Sequence, residues 1–596
     1  MRFLLRCLVL LVVAVSAEAA TPSLSCSYST TGGSTSPAPL FVHVDCTATT
    51  DADTSKPFHD LQFRHTFGDP GAGTWSNGAN TNASKNVATG AIAGHVYETA
   101  GTYTITTTVT DGTNIARTTQ SITVADPDTV YTGTATVCFY NSTVGTGCPA
   151  GATQTASSDY DAALTSCFGT TKRCLFKRGD TFTASAATGL ASAGPNTIGA
   201  YGSGALPVVN MTANDSLLNI TTGTNDLRIM DINFVGSGSG AAQKGLNNGA
   251  NVSGITVLRV TATNFGAATI GFGTGSFTVT NTVVQDSTLT GSAASIDLYM
   301  RIASGGAVLG NVIGPTGPSG FQALRLDRWQ RSVVAHNTIT HGGAATVNVV
   351  ALRAQAHVTT AEDSFYDIFS DNKIIEGTIT PGAFVAYGPI GGSDDARIYD
   401  QINERNWYVS SAYTGASAVQ GLVVSAVRAT VRNNLFDLSL PVAGLDRVGI
   451  SVGKVSSEPT PDDVQLLNNT IYSSQTGAAA GSAVRIFTST NTVVKNTLCR
   501  AVSMSKCVDN VSGTGVVTAT NSSNAQMTGT DPSFDNTASP PSGFRIGTGS
   551  YAATGGTALF PSSNSDFFDC DDTTANEHIG AFVPRVRARC RSAAGP

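Results

Sequence analysis

Val333-Val-Ala-His-Asn337-Thr-Ile339, Ile368-Phe-Ser-Asp-Asn372-Lys-Ile374, Val431-Arg-Asn-Asn434-Leu-Phe436, Val464-Gln-Leu-Leu-Asn-Asn469-Thr-Ile471 and Val493-Val-Lys-Asn496-Thr-Leu498 repeat one phrase. β-Formers lead to Asn, then a polar residue, then an apolar one. Looser copies put Asn264, Asp286, Asn311 and Asn406 in the same slot, and successive slots lie 22 to 35 residues apart. That spacing is a solenoid period, shorter than most propeller blades. Asn tolerates the left-handed backbone of a sharp corner. Stacked Asn side chains can also hydrogen-bond along the axis. The phrase therefore predicts a parallel β-helix in which each coil buries the next.

The whole chain fits an all-β protein. It has 596 residues, 63 of them Gly, and only 13% are charged. Such a chain suits a small domain plus an elongated stack of short strands. A net charge of −7 gives no signal for nucleic acid. Residues 1–19 read as a signal peptide: Arg2 and Arg6, an apolar run from Leu8 to Val15, then Ala17-Glu18-Ala19. No later stretch reaches transmembrane length. The protein is expected to be secreted, extracellular or periplasmic, and monomeric.

Of 11 cysteines, one (Cys7) lies in the signal segment. The others fall as near neighbours: Cys26 and Cys46, Cys138 and Cys148, Cys167 and Cys174, Cys499 and Cys507, Cys570 and Cys590. Local disulfides are the expectation for an exported chain. No cofactor is identified. Calcium has no motif, since Asp569, Asp571 and Asp572 read as a solvated loop.

Residues 20–125 alternate at period two, most clearly along Gly101 to Asp111. Phe67-Gly68-Asp69, His95-Val96-Tyr97, Gly101-Thr102-Tyr103 and Val109-Thr110-Asp111 resemble the signature of PKD domains. The resemblance implies an immunoglobulin-like β-sandwich acting as a spacer or binding module. This chain departs from the family at Pro70 and in the loop through Trp75, an aromatic that packs on the sandwich or stacks on a sugar. Asp126-Pro127-Asp128 reads as an exposed joint within a linker at 126–132.

Residues 133–583 are assigned to the β-helix and 584–596 to a tail. Arg173 to Phe182 and Ile198 to Gly204 resemble the opening of right-handed β-helix proteins of the pectate-lyase-like class. Asp531-Pro-Ser-Phe534, Gly543-Phe-Arg-Ile546 and His578-Ile-Gly-Ala-Phe582 are similar to its closing segment. The resemblance implies fold more than activity, because this architecture hosts lyases, hydrolases, adhesins and phage fibres. The spaced aspartates with Gly-His-Gly and Arg-x-Lys of polygalacturonases are absent, Asp394-Asp395 being a loop pair. So is the Trp-x-Asp-His of pectate lyases.

Stepping back from each Asn gives the strands that would line a groove. Alternation turns Leu298, Met300, Leu324, Leu326 and Leu352 inward, and Asp297, Tyr299, Arg301, Arg325, Asp327 and Arg353 outward. Arginines concentrate here, with Arg328 and Arg331 in the same stretch. Three coils would stack Arg301, Arg325 and Arg353 as a row for an acidic polysaccharide. In a lyase, Arg325 or Arg353 would neutralise a uronate, and Tyr299, His336 or His341 would move protons. In a hydrolase, Asp297 and Asp327 would form the carboxyl pair. Arg301, Arg328, Asp297 and Tyr387 complete the expected binding set. The alternative is an adhesin-like surface or matrix protein, a rigid rod whose arginines merely pair with acids.

Overall fold

A computed structural model describes residues 20–590 apart from 34–35, 239, 241, 274–276, 294–295, 318, 343–349, 357–361, 377–384, 388–397, 411–418, 440–445, 455–459, 475–480, 530, 548–549, 554, 557–558, 560–569, 573–579 and 583–587. The signal segment, Asp394-Asp395, much of the insertions after Asn337, Asn372 and Asn434, and most of the tail lie outside the described residues.

The regular structure of the chain is almost all β, 50% strand against 6% helix, and its larger part is a parallel β-solenoid of about 10 turns. Each turn visits three faces. In one turn, Gln322–Asp327 lies on face A, Val333–Ala335 on face B and Thr338–Thr340 on face C. Each strand pairs in parallel with its counterpart in the next turn, as Leu324 with Leu352, Val334 with Phe369, and Ile339 with Ile374. Face C stacks twelve strands. Leu298, Met300, Leu324, Leu326 and Leu352 are buried in one interior cluster, as the alternation predicts. The helix Tyr160–Cys167, N-capped by the Asp159 side chain, places Tyr160, Ala163 and Leu164 in the same cluster near its first rungs. A capping element of this kind shields interior rungs that have no neighbour.

The asparagines form one column between faces B and C. Asn337 donates from its backbone N (3.1 Å) and Nδ2 (2.9 Å) to Oδ1 of Asn372. Asn372 does the same to Asn406 at 2.9 and 3.0 Å. The ladder runs from Asn311 through Asn434 to Asn469, and each amide is fully buried. Each Nδ2 also donates to a main-chain carbonyl, as Asn372 does to Val334 at 2.9 Å. The left-handed residue, however, is the one before: His336 (φ 58°), Asp371 (57°), Arg405 (54°), Asn433 (56°) and Asn468 (51°). The bend is made there, which frees the Asn side chain to turn inward. Asp286 and Asn496 belong to this bending column, and Ser287 extends the ladder by accepting from Val260 N at 3.1 Å. Asn264 bends elsewhere, just past the face C strand Thr261–Thr263.

Four expected disulfides are present: Cys26–Cys46, Cys138–Cys148, Cys167–Cys174 and Cys499–Cys507. Cys570 and Cys590 face each other in a short antiparallel ladder.

At the N-terminus lie two small antiparallel sheets, of three and four strands, sharing one core. The quoted signature residues build it. Tyr97 donates to the Phe67 carbonyl at 2.8 Å, Asp69 meets His95 at 3.2 Å, and Asp111 accepts from the backbone N of Thr113 and Asn114. This unit does not stand apart from the solenoid. Its core continues into Leu258, Val283, Ala307, Leu309, Val333 and Ile368, all on the outward side of face B. Polar contacts hold both ends of that apolar stripe. Arg228 donates to the carbonyls of Pro37 (3.0 Å) and Pro39 (2.8 Å), and Arg432 to that of His59 (2.9 Å). Asp126 and Asp128 are exposed, as expected, and lead into a helical turn: Pro127–Val130 is helical, Tyr131 is buried, and Arg173 binds Asp128 at 2.7 Å.

Asn372→Ala should lower stability by about 2–4 kcal/mol, at ~1–3 kcal/mol for each buried group left unpaired; equilibrium urea unfolding measures it. Ile368→Asp should loosen the N-terminal unit, read as faster proteolysis across 126–132, whereas Arg485→Ala on face A should leave that rate unchanged.

Candidate functional site

Two of the three faces are covered by other parts of the chain. The N-terminal unit lies on face B. On face C, Trp407, Val409, Leu435 and Tyr472 pack with Phe534, Phe544, Ala581 and Phe582 from the closing segment. Among the described residues, neither unit packs on face A. Its strands set Asn247, Gly271, Tyr299, Arg325, Arg353, Ala386, Val423, Ser451 and Arg485 in one register column. The next outward column holds Arg301, Asp327 and Gln355. Tyr299, Arg325 and Arg353 are thus stacked, as expected for the arginine row, but Arg301 stands opposite Asp327 and not Arg325.

Asp327 organises the cluster. Its side chain is fully buried and accepts from Tyr299 Oη (2.7 Å), from Arg325 Nε and Nη2 (3.1 Å each) and from Gln355 Nε2. The Arg325 guanidinium lies 5.4 Å from the Tyr299 ring centroid, a cation–π contact. Arg301 is paired with Glu362, while Arg325 keeps a quarter of its side chain exposed. Burial, with Asp327 beside it, pushes the Tyr299 phenol well above its ordinary range, so it is a neutral donor.

Several expected site residues lie elsewhere. Asp297 is fully buried, at the rung position of Ala323 and Ala351 in the interior cluster. Period two breaks at this corner: the register runs evenly from Ile296–Gln322 to Leu298–Leu324, yet Asp297 between them is buried like Leu298. Burial raises the Asp297 carboxyl well above its usual value, against the bond it accepts from Ser292 N. Four residues of strand separate Asp297 from the level of Asp327, about 13 Å at ~3.3 Å per residue. That exceeds the separation of a glycosidase pair, so the hydrolase pairing is withdrawn.

His336 occupies the bending column and stacks on Trp75 at 4.9 Å, beneath the N-terminal unit. Burial, partly opposed by Asp371, lowers it to about 4. It is a docking residue, remote from face A. Trp75 is 5% exposed in the same contact, which leaves it no open face for a sugar. His341 is fully buried at 3.4 Å from Glu376, another interior pair. Arg328 (φ 47°) turns the corner after face A, and Arg331 (φ 48°) lies 3.5 Å from Asp45 of the N-terminal unit. Tyr387 falls in the register of Leu326, Ala354 and Val424, not of the outward column. Gln355 and Glu362 also belong to the cluster, through Asp327 and Arg301. Gln355 alone had a signal, standing two residues after Arg353 as Asp327 stands after Arg325.

No family model matches the chain, and no curated protein does. Among solved structures it is similar to the Dettilon tailspike protein gp208, at 13% identity and TM-score 0.42 over 54% of this chain and 60% of that one. It is similar to the pectate lyase Pel9A at 12% and 0.37, over 75% and 96%. A third is the family 28 exopolygalacturonase of Yersinia enterocolitica, at 9% and 0.38 over 84% and 96%. The fold described above rests on the strand register alone.

Stability should fall as pH drops from about 6.5 to about 4. There the unfolded chain takes up protons that folded His336, with its lowered pKa, refuses. His65, also lowered to about 4 by burial, adds to the slope. His336→Asn, which tolerates the left-handed corner, should reduce that slope of Tm against pH without removing it.

Proposed function

We propose that this is an extracellular protein that binds an acidic polysaccharide across face A and cleaves it by β-elimination. The observation carrying the proposal is the Tyr299–Arg325–Arg353 column, on the face against which, among the described residues, neither other unit packs. Arginines set on neighbouring rungs, ~4.8 Å apart, suit a polymer of carboxylates, which guanidiniums recognise as planar forks. The disulfides fit an oxidising compartment and the signal segment supplies export. The N-terminal unit keeps the reading of a PKD-type module, here serving as a brace.

In this scheme Arg353 meets the uronate carboxylate and acidifies the adjacent C–H. Tyr299 Oη takes that proton while passing its own to Asp327 Oδ2, 2.7 Å away. The C–O bond to the leaving sugar breaks, its electrons stay with oxygen, a C=C forms, and solvent protonates the departing oxygen. Arg325 steadies Asp327 throughout.

A second reading, non-catalytic binding, draws on the same bonds: Asp327 holds Tyr299 and Arg325 in one closed set. The experiment separates them. Purified protein is offered a panel of uronate polysaccharides, with absorbance followed for unsaturated ends and binding measured in parallel. New unsaturated ends, reduced at least a hundredfold in Arg353→Ala, are expected. Binding that Arg353→Ala weakens, with no unsaturated ends, selects the binder. Neither cleavage nor binding on any substrate overturns both readings.

A further inference from the structure

Between the N-terminal unit and face B lies a crevice of about 330 Å³, at the small end of the range for ligand pockets. Its floor is apolar, made by Leu309, Val333 and Ala335 of the solenoid, and its wall carries the amides and hydroxyls of Asn80, Asn82, Ser84 and Ser370. The stacked rings of Trp75 and His336 also line it. Trp75 Nε1 and His336 Nδ1 are buried, and among the described residues no group bonds to either. Leaving a buried polar atom without a partner is unfavourable.

The charges of the lining are already spent. Lys85 Nζ binds Asp286 at 2.7 Å, and Arg405 is paired with Asp371 (3.1 Å) and Glu404 (2.7 Å). Arg64, also on the lining, is likewise engaged. The site therefore calls for an uncharged ligand with an apolar face and a rim of hydroxyls. A pyranose has that shape: its C–H face suits the apolar floor, and its equatorial hydroxyls suit amides.

We propose that the crevice is a second saccharide site, taking a neutral mono- or disaccharide, independent of the face A cluster. Because both units line it, occupancy ties the N-terminal unit to the solenoid.

The test is saturation-transfer NMR on the full chain with D-glucose, D-galactose, N-acetyl-D-glucosamine, maltose and lactose at millimolar concentration. Signal is expected from at least one sugar, unchanged in Arg353→Ala and at least tenfold weaker in Thr81→Trp and Ala88→Leu. Both variants fill the crevice, and an unaltered Tm shows that they fold. Loss of signal in Arg353→Ala instead would place the sugar on face A and overturn the proposal. Signal that survives both filled variants, or none from any sugar, would overturn it too. Uronate polysaccharide binding that Arg353→Ala weakens would meanwhile leave the face A reading standing.

Discussion

The asparagine ladder between faces B and C is the constraint on which the rest depends. A solenoid corner buries main-chain groups that the strand pairs on the faces do not reach, and each must be satisfied. Here one amide per turn accepts from the backbone and the side chain of the turn before, and donates to a carbonyl as well. Consecutive turns are thereby locked in axial register. That register sets Arg353 above Arg325 and Arg325 above Tyr299 on another face, with no direct contact to the ladder.

Burial of the faces then decides where function can reside. The outward columns of face B carry Leu258, Val283, Ala307, Val333 and Ile368, where an open sheet would carry polar side chains. Those residues are covered by the N-terminal unit, and Trp407, Val409 and Leu435 of face C by the closing segment. Both additions act as braces that hide apolar surface and exposed sheet. Face A keeps a half-exposed mixture of Tyr, Arg and Asn. The N-terminal unit thus acts through its contact with the solenoid, whose polar ends at Arg228 and Arg432 fix its position.

The amino-acid sequence by itself determined the architecture. A recurring Asn with flanking β-formers specifies a stacked coil, and period two along Leu324, Leu326 and Leu352 specifies the core; the neighbouring cysteines suggested local bridges, four of which the structure makes. Local chemistry suffices for these, because each depends on near neighbours or on a repeat. The arginine row was legible for the same reason, as far as Arg325 and Arg353. What the sequence could not carry was anything set by distant chain segments. His336 looks like any ring beside a corner until Trp75 packs on it from about 260 residues away. Asp297 obeys the alternation on paper and breaks it in space, where it is fully buried at the level of Ala323 and accepts from Ser292 N. Which face the two ends of the chain cover among the described residues, and that Arg301 pairs with Glu362 of a distant insertion, was decided only in the tertiary structure, since both depend on segments far apart in sequence.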